Sequence, residues 1–337
     1  MNESRRSMLR GTIGVSAMSA VPFAFGLSRA LAAPPDRTVR VGVLFSGSPV
    51  RWELIDRALI DGLREHGYAE GRNVVLTRRA GTYPDDRMES YAKEFAGMKL
   101  DAIYTSCGWT AAAASKATSI TPIIFGKVSD PVGRGLVKSL AKPGTNLTGR
   151  TGRVPQLAPK MLELLRETLP DVKHVGVLMD GRSKANQARY VEAEAAASAM
   201  NLKLTAIDWH RIKNVEAAIV TLRAAEVSAL LTLPDDDLVA EFLDQLHAAT
   251  VLLRLPIIYP SRDLVESGGF MSYGPDSYDI YRRSVVHLDR VLNGANPAEL
   301  PIEQPTSLDL AINLKRANAL GITIPRSALM RADYIVK

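Results

Sequence analysis

Residues 122–149 read PIIFGKVSDPVGRGLVKSLAKPGTNLTG, and the rest of the chain is best interpreted from this stretch. The apolar run 122–125 is typical of a strand buried on both faces of a parallel sheet. A polar loop follows, then a helical pattern around residues 135–140 and a cluster of turn formers at 142–146. Ligands of open α/β sheets lie beyond the carboxyl ends of the strands. The stretch therefore predicts a ligand contact together with a crossover between lobes. The alternative is an ordinary βα loop followed by a domain linker.

Strand and helix patterns alternate on both sides of this stretch, which indicates two α/β units in tandem with a break near 143–155. In the first unit, strands are predicted at 39–45, 73–79, 101–106 and 122–125, and helices at 52–66, 84–98 and 110–118. In the second unit, strands are predicted at 174–179, 203–208, 229–233, 256–259 and 270–273, and helices at 159–168, 184–200, 215–225, 235–250 and 262–267. A long helix at 278–292, a strand at 309–314 and a helix at 315–320 complete the pattern.

The first 32 residues have the plan of a secretory signal peptide. A basic segment containing Arg5 and Arg6 precedes an uncharged run, and an A-x-A site predicts cleavage after Ala32. The segment SRRSMLR at 4–10 is similar to the twin-arginine export signal, and a chance Arg pair in an ordinary Sec signal is the alternative. Since no Cys lies near the cleavage site, a lipoprotein is not expected.

Composition excludes several classes of protein. The formal net charge of +6 includes +3 from the first 32 residues, and the remainder has no basic run of the kind that nucleic-acid grooves need. Cys107 is the single cysteine, which excludes an intramolecular disulfide and a cysteine-based metal site. The roughly 305 residues after the signal suggest two lobes of about 150 each.

The sequence contains no complete catalytic or cofactor motif. Neither 39–45 nor 174–179 is followed by a dinucleotide-binding glycine pattern. Ser183 lies between a strand and a helix as a hydrolase nucleophile does, but Ala185 replaces the required glycine, and a helix N-cap is the favoured interpretation. The acidic run 235–237 lacks EF-hand spacing and favours a helix start. No enzyme, catalytic residue, metal site or cofactor is therefore predicted.

Polar and small residues follow the predicted strands in both units. Ser and Gly before a helix offer donors to a carboxylate, Asp accepts bonds from an ammonium group, and Tyr stacks on an apolar group. Two lobes whose strand ends face each other would place these residues around one cleft; loops that are polar by default are the alternative. The predicted ligand-binding residues are Ser46, Gly47, Ser48, Ser106, Cys107, Gly108, Ser129, Asp130, Asp180, Arg182, Asp235, Asp236, Tyr259 and Tyr273.

Five segments together resemble the substrate-binding proteins of ABC importers, in the branch related to tryptophan-type amino-acid binders. These segments are VSDPVGRGLV at 128–137, KPGTNLTG at 142–149, GGFMSYG at 268–274, LPIEQPT at 300–306 and INLKRANALGITIP at 312–325. The resemblance implies an α/β type I periplasmic binding protein fold: two Rossmann-like lobes with parallel sheets and a hinged interlobe cleft. Lobe 1 would comprise 37–148 and 275–297, and lobe 2 would comprise 149–274 and 298–337.

The resemblance also implies a role. Relatives that bind amino acids hold the ligand between the lobes, at loops corresponding here to 46–48 and 106–108, with Asp235 and Asp236 carried over for the second lobe. The expected protein is a periplasmic, monomeric solute-binding component that binds an amino acid or an aromatic or carboxylate compound. Its partners would be ABC permease and ATPase subunits in the inner membrane, and no nucleic acid. A ligand sensor that presents its closed form to a membrane receptor kinase or chemoreceptor is the alternative.

Overall fold

The protein is described here from a computed structural model, which covers residues 37–82, 87–212, 214–235 and 242–337. The predicted signal peptide lies outside these residues. Two β-sheets, each flanked by helices, make up the described chain and confirm the predicted α/β class with two lobes. Within the described residues, no helix has the length and apolar character needed to cross a bilayer.

The first sheet has five strands in the order β2-β1-β3-β4-β5, and all of its pairings are parallel. The strands are β1 Val39–Ser46, β2 Val74–Gly81, β3 Ala102–Thr105, β4 Ile123–Val128 and β5 Leu147–Thr151. The helices of this lobe are Pro49–Glu65, Arg87–Gly97, Gly108–Ala117 and Ser277–Leu292. Two apolar clusters, one on each face of the sheet, form its core.

The second sheet has seven strands in the order β12-β11-β10-β9-β8-β6-β7, parallel except where β11 runs against β10. The strands are β6 His174–Met179, β7 Lys203–Asp208, β8 Ala229–Thr232, β9 Ile257–Tyr259, β10 Met271–Gly274, β11 Asp309–Asn313 and β12 Tyr334–Val336. The described helices are Leu157–Thr168, Lys184–Ala199, Val215–Ala224, Leu243–Leu252, Asp263–Glu266, Leu314–Leu320 and Arg326–Arg331. A 3₁₀ turn at Trp209–Arg211 belongs to the same lobe, and a second 3₁₀ turn, Pro297–Glu299, lies beside the first sheet.

The chain passes between the sheets three times: after β5, between β10 and the helix Ser277–Leu292, and before β11. The returning helix packs against the helix Pro49–Glu65. Gly62 permits this contact, because a Cβ atom there would lie 2.3 Å from the carbonyl oxygen of Arg282. Residue 303 then runs beside β5, where the Thr151 N–H donates to the Glu303 carbonyl oxygen at 3.0 Å.

The structure differs from the sequence pattern in three places. Residues 135–140 form turns rather than a helix, since Gly135 has φ of +71° and the N–H groups of Leu136 and Val137 both donate to the Pro131 carbonyl oxygen. The segment predicted as a linker contains β5, which pairs with β4, so the first sheet extends to Thr151. Residues 321–337, for which no element was predicted, contain the helix Arg326–Arg331 and β12, which pairs with β11.

Candidate functional site

The loops that follow strands of both sheets enclose a cavity of about 520 Å³. Its first-sheet wall comes from the loop after β4, and its second-sheet wall comes from the segments after β6 and β8. Since β8 lies on the opposite side of β6 from β7, the second wall is at the point where strand order reverses, a common ligand site in open α/β sheets. The lining residues are Ser129, Asp130, Gly133, Arg134, Asp180, Arg182, Ser183, Lys184, Asn186, Arg189, Pro234 and Asp235.

The first-sheet wall is a tight turn built on Asp130. One oxygen of its carboxylate accepts the Gly133 N–H at 3.0 Å, and its backbone carbonyl accepts the Arg134 N–H at 3.1 Å. The Arg134 side chain extends from this turn across Gly108, where a Cβ atom would lie 2.7 Å from its Nε atom. Arg134 therefore lies between the cavity and the start of the helix Gly108–Ala117.

On the second-sheet wall, Asp180 directly follows β6 as a buried carboxylate beside Arg182 and His210. Its Oδ1 atom accepts the Arg182 backbone N–H at 2.8 Å and the Arg182 Nε–H at 3.1 Å, and His210 Nε2 lies 3.2 Å from Oδ2. Burial alone would raise the pKa of Asp180, but the Arg182 hydrogen bonds and His210 outweigh it, and the net pKa is lowered. Asp180 is therefore ionised at neutral pH.

Asp235 ends the segment after β8 and is held by two donors from other elements. Asn186 Nδ2 donates to it at 3.1 Å, and Trp209 Nε1 donates at 3.4 Å. Asp235 is only 8% exposed, so hydrogen bonds are needed to offset the cost of burying its charge. The network fixes the start of the helix Lys184–Ala199 against the end of β8.

Arg189 joins the two walls. Its guanidinium donates to the Ser129 carbonyl oxygen of the first wall at 3.3 Å, and to the Pro234 carbonyl oxygen of the second wall at 3.4 Å. A third bond goes to the Asn186 side-chain oxygen at 3.1 Å.

The cavity continues inward as a smaller hollow of about 20 Å³, which shares Ser129, Pro234 and Asp235 with it. Arg51 lines this hollow, and its Nη1 atom lies 3.0 Å from the Asp263 carboxylate. The pair connects a helix of the first lobe with a helix of the second lobe, and its side chains are only 16% and 11% exposed. Burial raises the pKa of Asp263, but Arg51 and Lys127 outweigh burial and hold the pKa at about 2.

The structure brings five of the predicted ligand-binding residues to the cavity. They are Ser129 and Asp130 on the first wall, and Asp180, Arg182 and Asp235 on the second. Asp236 lies outside the described residues. That any of these residues contacts a ligand remains a prediction. Groups of three or more His, Cys, Asp or Glu side chains able to hold a metal ion do not occur in the described part of the chain.

The serine-rich loops of the first sheet lie beside the cavity but do not line it. The loops 46–48 and 106–108 meet each other, because the Ser46 N–H donates to the Ser106 Oγ atom at 3.0 Å. Cys107 caps the following helix by pairing its N–H with Thr110 Oγ1 at 3.1 Å. The cavity lining does not include Ser46, Gly47, Ser48, Ser106, Cys107 or Gly108.

The two tyrosines that were predicted to bind ligand lie in the second lobe and do not line the cavity. Tyr259 is fully buried in an apolar cluster, with its ring 5.5 Å from that of His247, and that it contacts a ligand stays a prediction. Strand alternation turns Tyr259 towards the helices. Tyr273 packs, partly buried, against the other cluster of this lobe.

Sequence reasoning missed Arg134, Lys184, Asn186 and Arg189. A search of the first turns after each strand end would have found Lys184 and Asn186, because they begin the helix Lys184–Ala199. Arg189 lies in the second turn of that helix, and Arg134 lies in a segment predicted as the approach to a helix. Only the fold shows that both line the cavity.

Comparisons with known proteins cover nearly all of the described chain. Residues 40–336 match a family model described as ABC transporter substrate binding protein. A tyrosine-binding protein of Clostridioides difficile is 26% identical over 266 residues, which is 79% of this chain and 76% of the relative.

Solved structures agree with that match. An ABC domain from Streptococcus pneumoniae in complex with L-Trp is 27% identical, with a TM-score of 0.78 over 89% of this chain and 100% of the other. A conserved domain protein from Vibrio cholerae is 28% identical, with the same TM-score and coverage.

Proposed function

This chain belongs to the family of ABC transporter substrate-binding proteins, and from that premise we propose that it is the solute-binding component of an ABC importer. The observation that carries the proposal is the cavity of about 520 Å³, whose walls come from the strand ends of two separate sheets. Its size is that of a site for a small organic molecule. A ligand there contacts both lobes and is enclosed by them.

We propose that the ligand selects the closed arrangement of the lobes. Because the walls belong to different lobes, only the closed arrangement lets a ligand contact both, and ligand binding shifts the population towards it. Asp130 on the first wall and Asp180 and Asp235 on the second are the proposed contacts, together with Ser129 and Arg182. Arg189 supports closure because it already bonds both walls.

The proposed ligand is an amino acid or another small carboxylate-bearing compound. Support comes from two relatives, one of which is named for tyrosine binding while the other was solved with L-Trp. The proposed partners are a membrane permease and its ATPase, which the exported monomer supplies with ligand in the periplasm. The interlobe boundary is proposed after Thr151, and residues 275–303 complete lobe 1.

A thermal-shift screen of the purified protein against amino acids and small organic acids tests the proposal. A ligand present at 100 times its Kd adds about 2.7 kcal/mol to the stability of the folded state. We expect at least one compound to raise the Tm, and Asp235→Ala to abolish the shift. Glu89→Gln, which alters an exposed ion pair remote from the cavity, should leave the shift unchanged. A screen in which no compound raises the Tm contradicts the proposal.

A further inference from the structure

We propose that the cavity selects a small organic molecule with two acid groups and a net negative charge, such as an acidic amino acid or a dicarboxylate, over an aromatic amino acid. The inference rests on the proposed function, because it concerns the ligand of the same cavity. It comes from the charge, the polarity and the placement of the lining side chains.

Cations outnumber carboxylates among the lining residues that the structure describes. The described lining residues include four cationic side chains and three carboxylates, which leaves a formal excess of one positive charge. The helix Lys184–Ala199 also begins at the cavity, with Ser183 as its N-cap, and a helix of 16 residues adds partial positive charge at that end. The electrostatic complement of this lining is a ligand with a net negative charge.

Internal hydrogen bonds already use the carboxylates. Asp130 accepts a backbone N–H of its own turn, and Asp180 accepts two bonds from Arg182. Asp235 accepts side-chain bonds from Asn186 and Trp209. At least one oxygen of each carboxylate therefore already accepts a hydrogen bond from the protein. This reduces the number of acceptor sites that the three carboxylates offer to a ligand ammonium group.

Exposed cations stand on both walls. Arg134 belongs to the first-sheet wall and Lys184 to the second, and both are exposed. Like charges on two lobes that close on one cavity repel each other, whereas an anion between them is attracted to both. A molecule with an acid group at each end therefore offsets the repulsion and favours closure, because it pairs with one cation on each lobe.

The described lining offers little to an aromatic ring. Its residues include no aromatic and no large aliphatic side chain, and Pro234 is the one apolar side chain larger than Gly among them. Sites for apolar ligands are lined mainly by hydrophobic and aromatic side chains, with a few polar groups for orientation. An indole or phenol ring in this cavity would lie against charged side chains, and these contacts would not stabilise the complex.

Isothermal titration calorimetry on the purified protein tests the inference with L-glutamate, succinate, L-glutamine, L-tryptophan and L-tyrosine. L-Glutamate or succinate is expected to bind at least tenfold more tightly than L-tryptophan and L-tyrosine. L-Glutamine, which lacks the second acid group, should bind at least tenfold more weakly than L-glutamate. Raising the NaCl concentration should weaken binding, because the contacts are between charges.

Variants assign the binding to the two walls. Arg134→Gln and Lys184→Gln should each weaken diacid binding about tenfold or more, the effect of losing one charged hydrogen bond. Lys138→Gln, an exposed cation of the first-lobe segment that does not line the cavity, should leave affinity unchanged. Unchanged thermal unfolding of the ligand-free variants would show that the fold is intact.

The outcomes separate this inference from the proposed function. Tighter binding of L-tryptophan or L-tyrosine than of both diacids, or diacid binding that neither variant weakens, overturns the inference and leaves a solute-binding protein. A broad panel of amino acids and organic acids in which nothing binds overturns both.

Discussion

Replacing Asp263 with Asn tests whether the buried pair with Arg51 holds the two lobes together. The change keeps the size of the side chain and removes its charge. Arg51 and Lys127, which lower the pKa of Asp263 in the folded protein, would then lose the negative charge between them. Breaking a buried ion pair by removing one partner costs roughly 3–5 kcal/mol.

The depressed pKa of Asp263 reflects the same interaction with Arg51 and Lys127. The folded pKa of about 2 lies below the value of about 3.9 that an Asp has in an unfolded chain. A carboxylate with a depressed pKa stabilises the folded state above its unfolded pKa, and this stabilisation is lost as the pH falls through the folded pKa. A difference of about two units at about 1.36 kcal/mol per unit amounts to ~2.6 kcal/mol at neutral pH.

Urea unfolding at pH 7 and pH 3 measures both effects. At pH 7 we expect Asp263→Asn to lower the free energy of unfolding by about 3 kcal/mol. Between pH 5 and pH 2 its stability should fall less steeply than that of the wild type, because the titrating carboxylate is gone.

Glu89→Gln is the matched control, because Glu89 pairs with Lys116 at a comparable 3.2 Å while both side chains are more than half exposed. We expect it to cost less than about 1 kcal/mol. If Asp263→Asn costs no more than Glu89→Gln, or if its pH profile matches that of the wild type, the reasoning about the buried pair is refuted.

Two further pairs of substitutions test local geometry by thermal unfolding. Gly149→Ala should cost about 3 kcal/mol or more, because the new Cβ would lie 2.0 Å from the Phe125 carbonyl oxygen, whereas Gly71→Ala, with φ of +80° and open space around it, should cost about 1 kcal/mol. Ser183→Ala removes an N-cap bond of 3.2 Å and should cost about 1 kcal/mol, while the exposed Ser198→Ala should change stability by less than about 0.5 kcal/mol. Equal losses within either pair would contradict these assignments.

Periodic patterns identified most of the secondary structure. The strands β1, β6 and β7 were predicted to within one residue, because short β-branched runs bounded by turn formers are distinctive. The strand β5 was missed because its sequence, LTGRT, has a glycine and an arginine where a strand pattern needs apolar residues. Pairing with β4 makes it a strand, and Gly149 permits the close approach to Phe125 that the pairing requires.

The candidate site was only partly predictable. Ser129, Asp130, Asp180 and Asp235 were found because strand ends can be located in the sequence and ligand sites lie beyond them. Arg134 and Arg189 were missed because neither follows a strand directly. Tyr259 lies in the core and not in the cavity lining, and a strand-end position does not show which face of the sheet a side chain occupies.

By itself the sequence determined that two α/β units follow one another, since alternating apolar strands and amphipathic helices depend on local spacing along the chain. It also indicated the family, through motifs that extend across almost all of the chain. The tertiary structure alone decided which strand ends share a cavity, that cations outnumber carboxylates among the described residues of its walls, and that Arg51 meets Asp263 across the lobes. These features join residues far apart in the sequence, and such contacts depend on how the two sheets are placed, which no local pattern encodes.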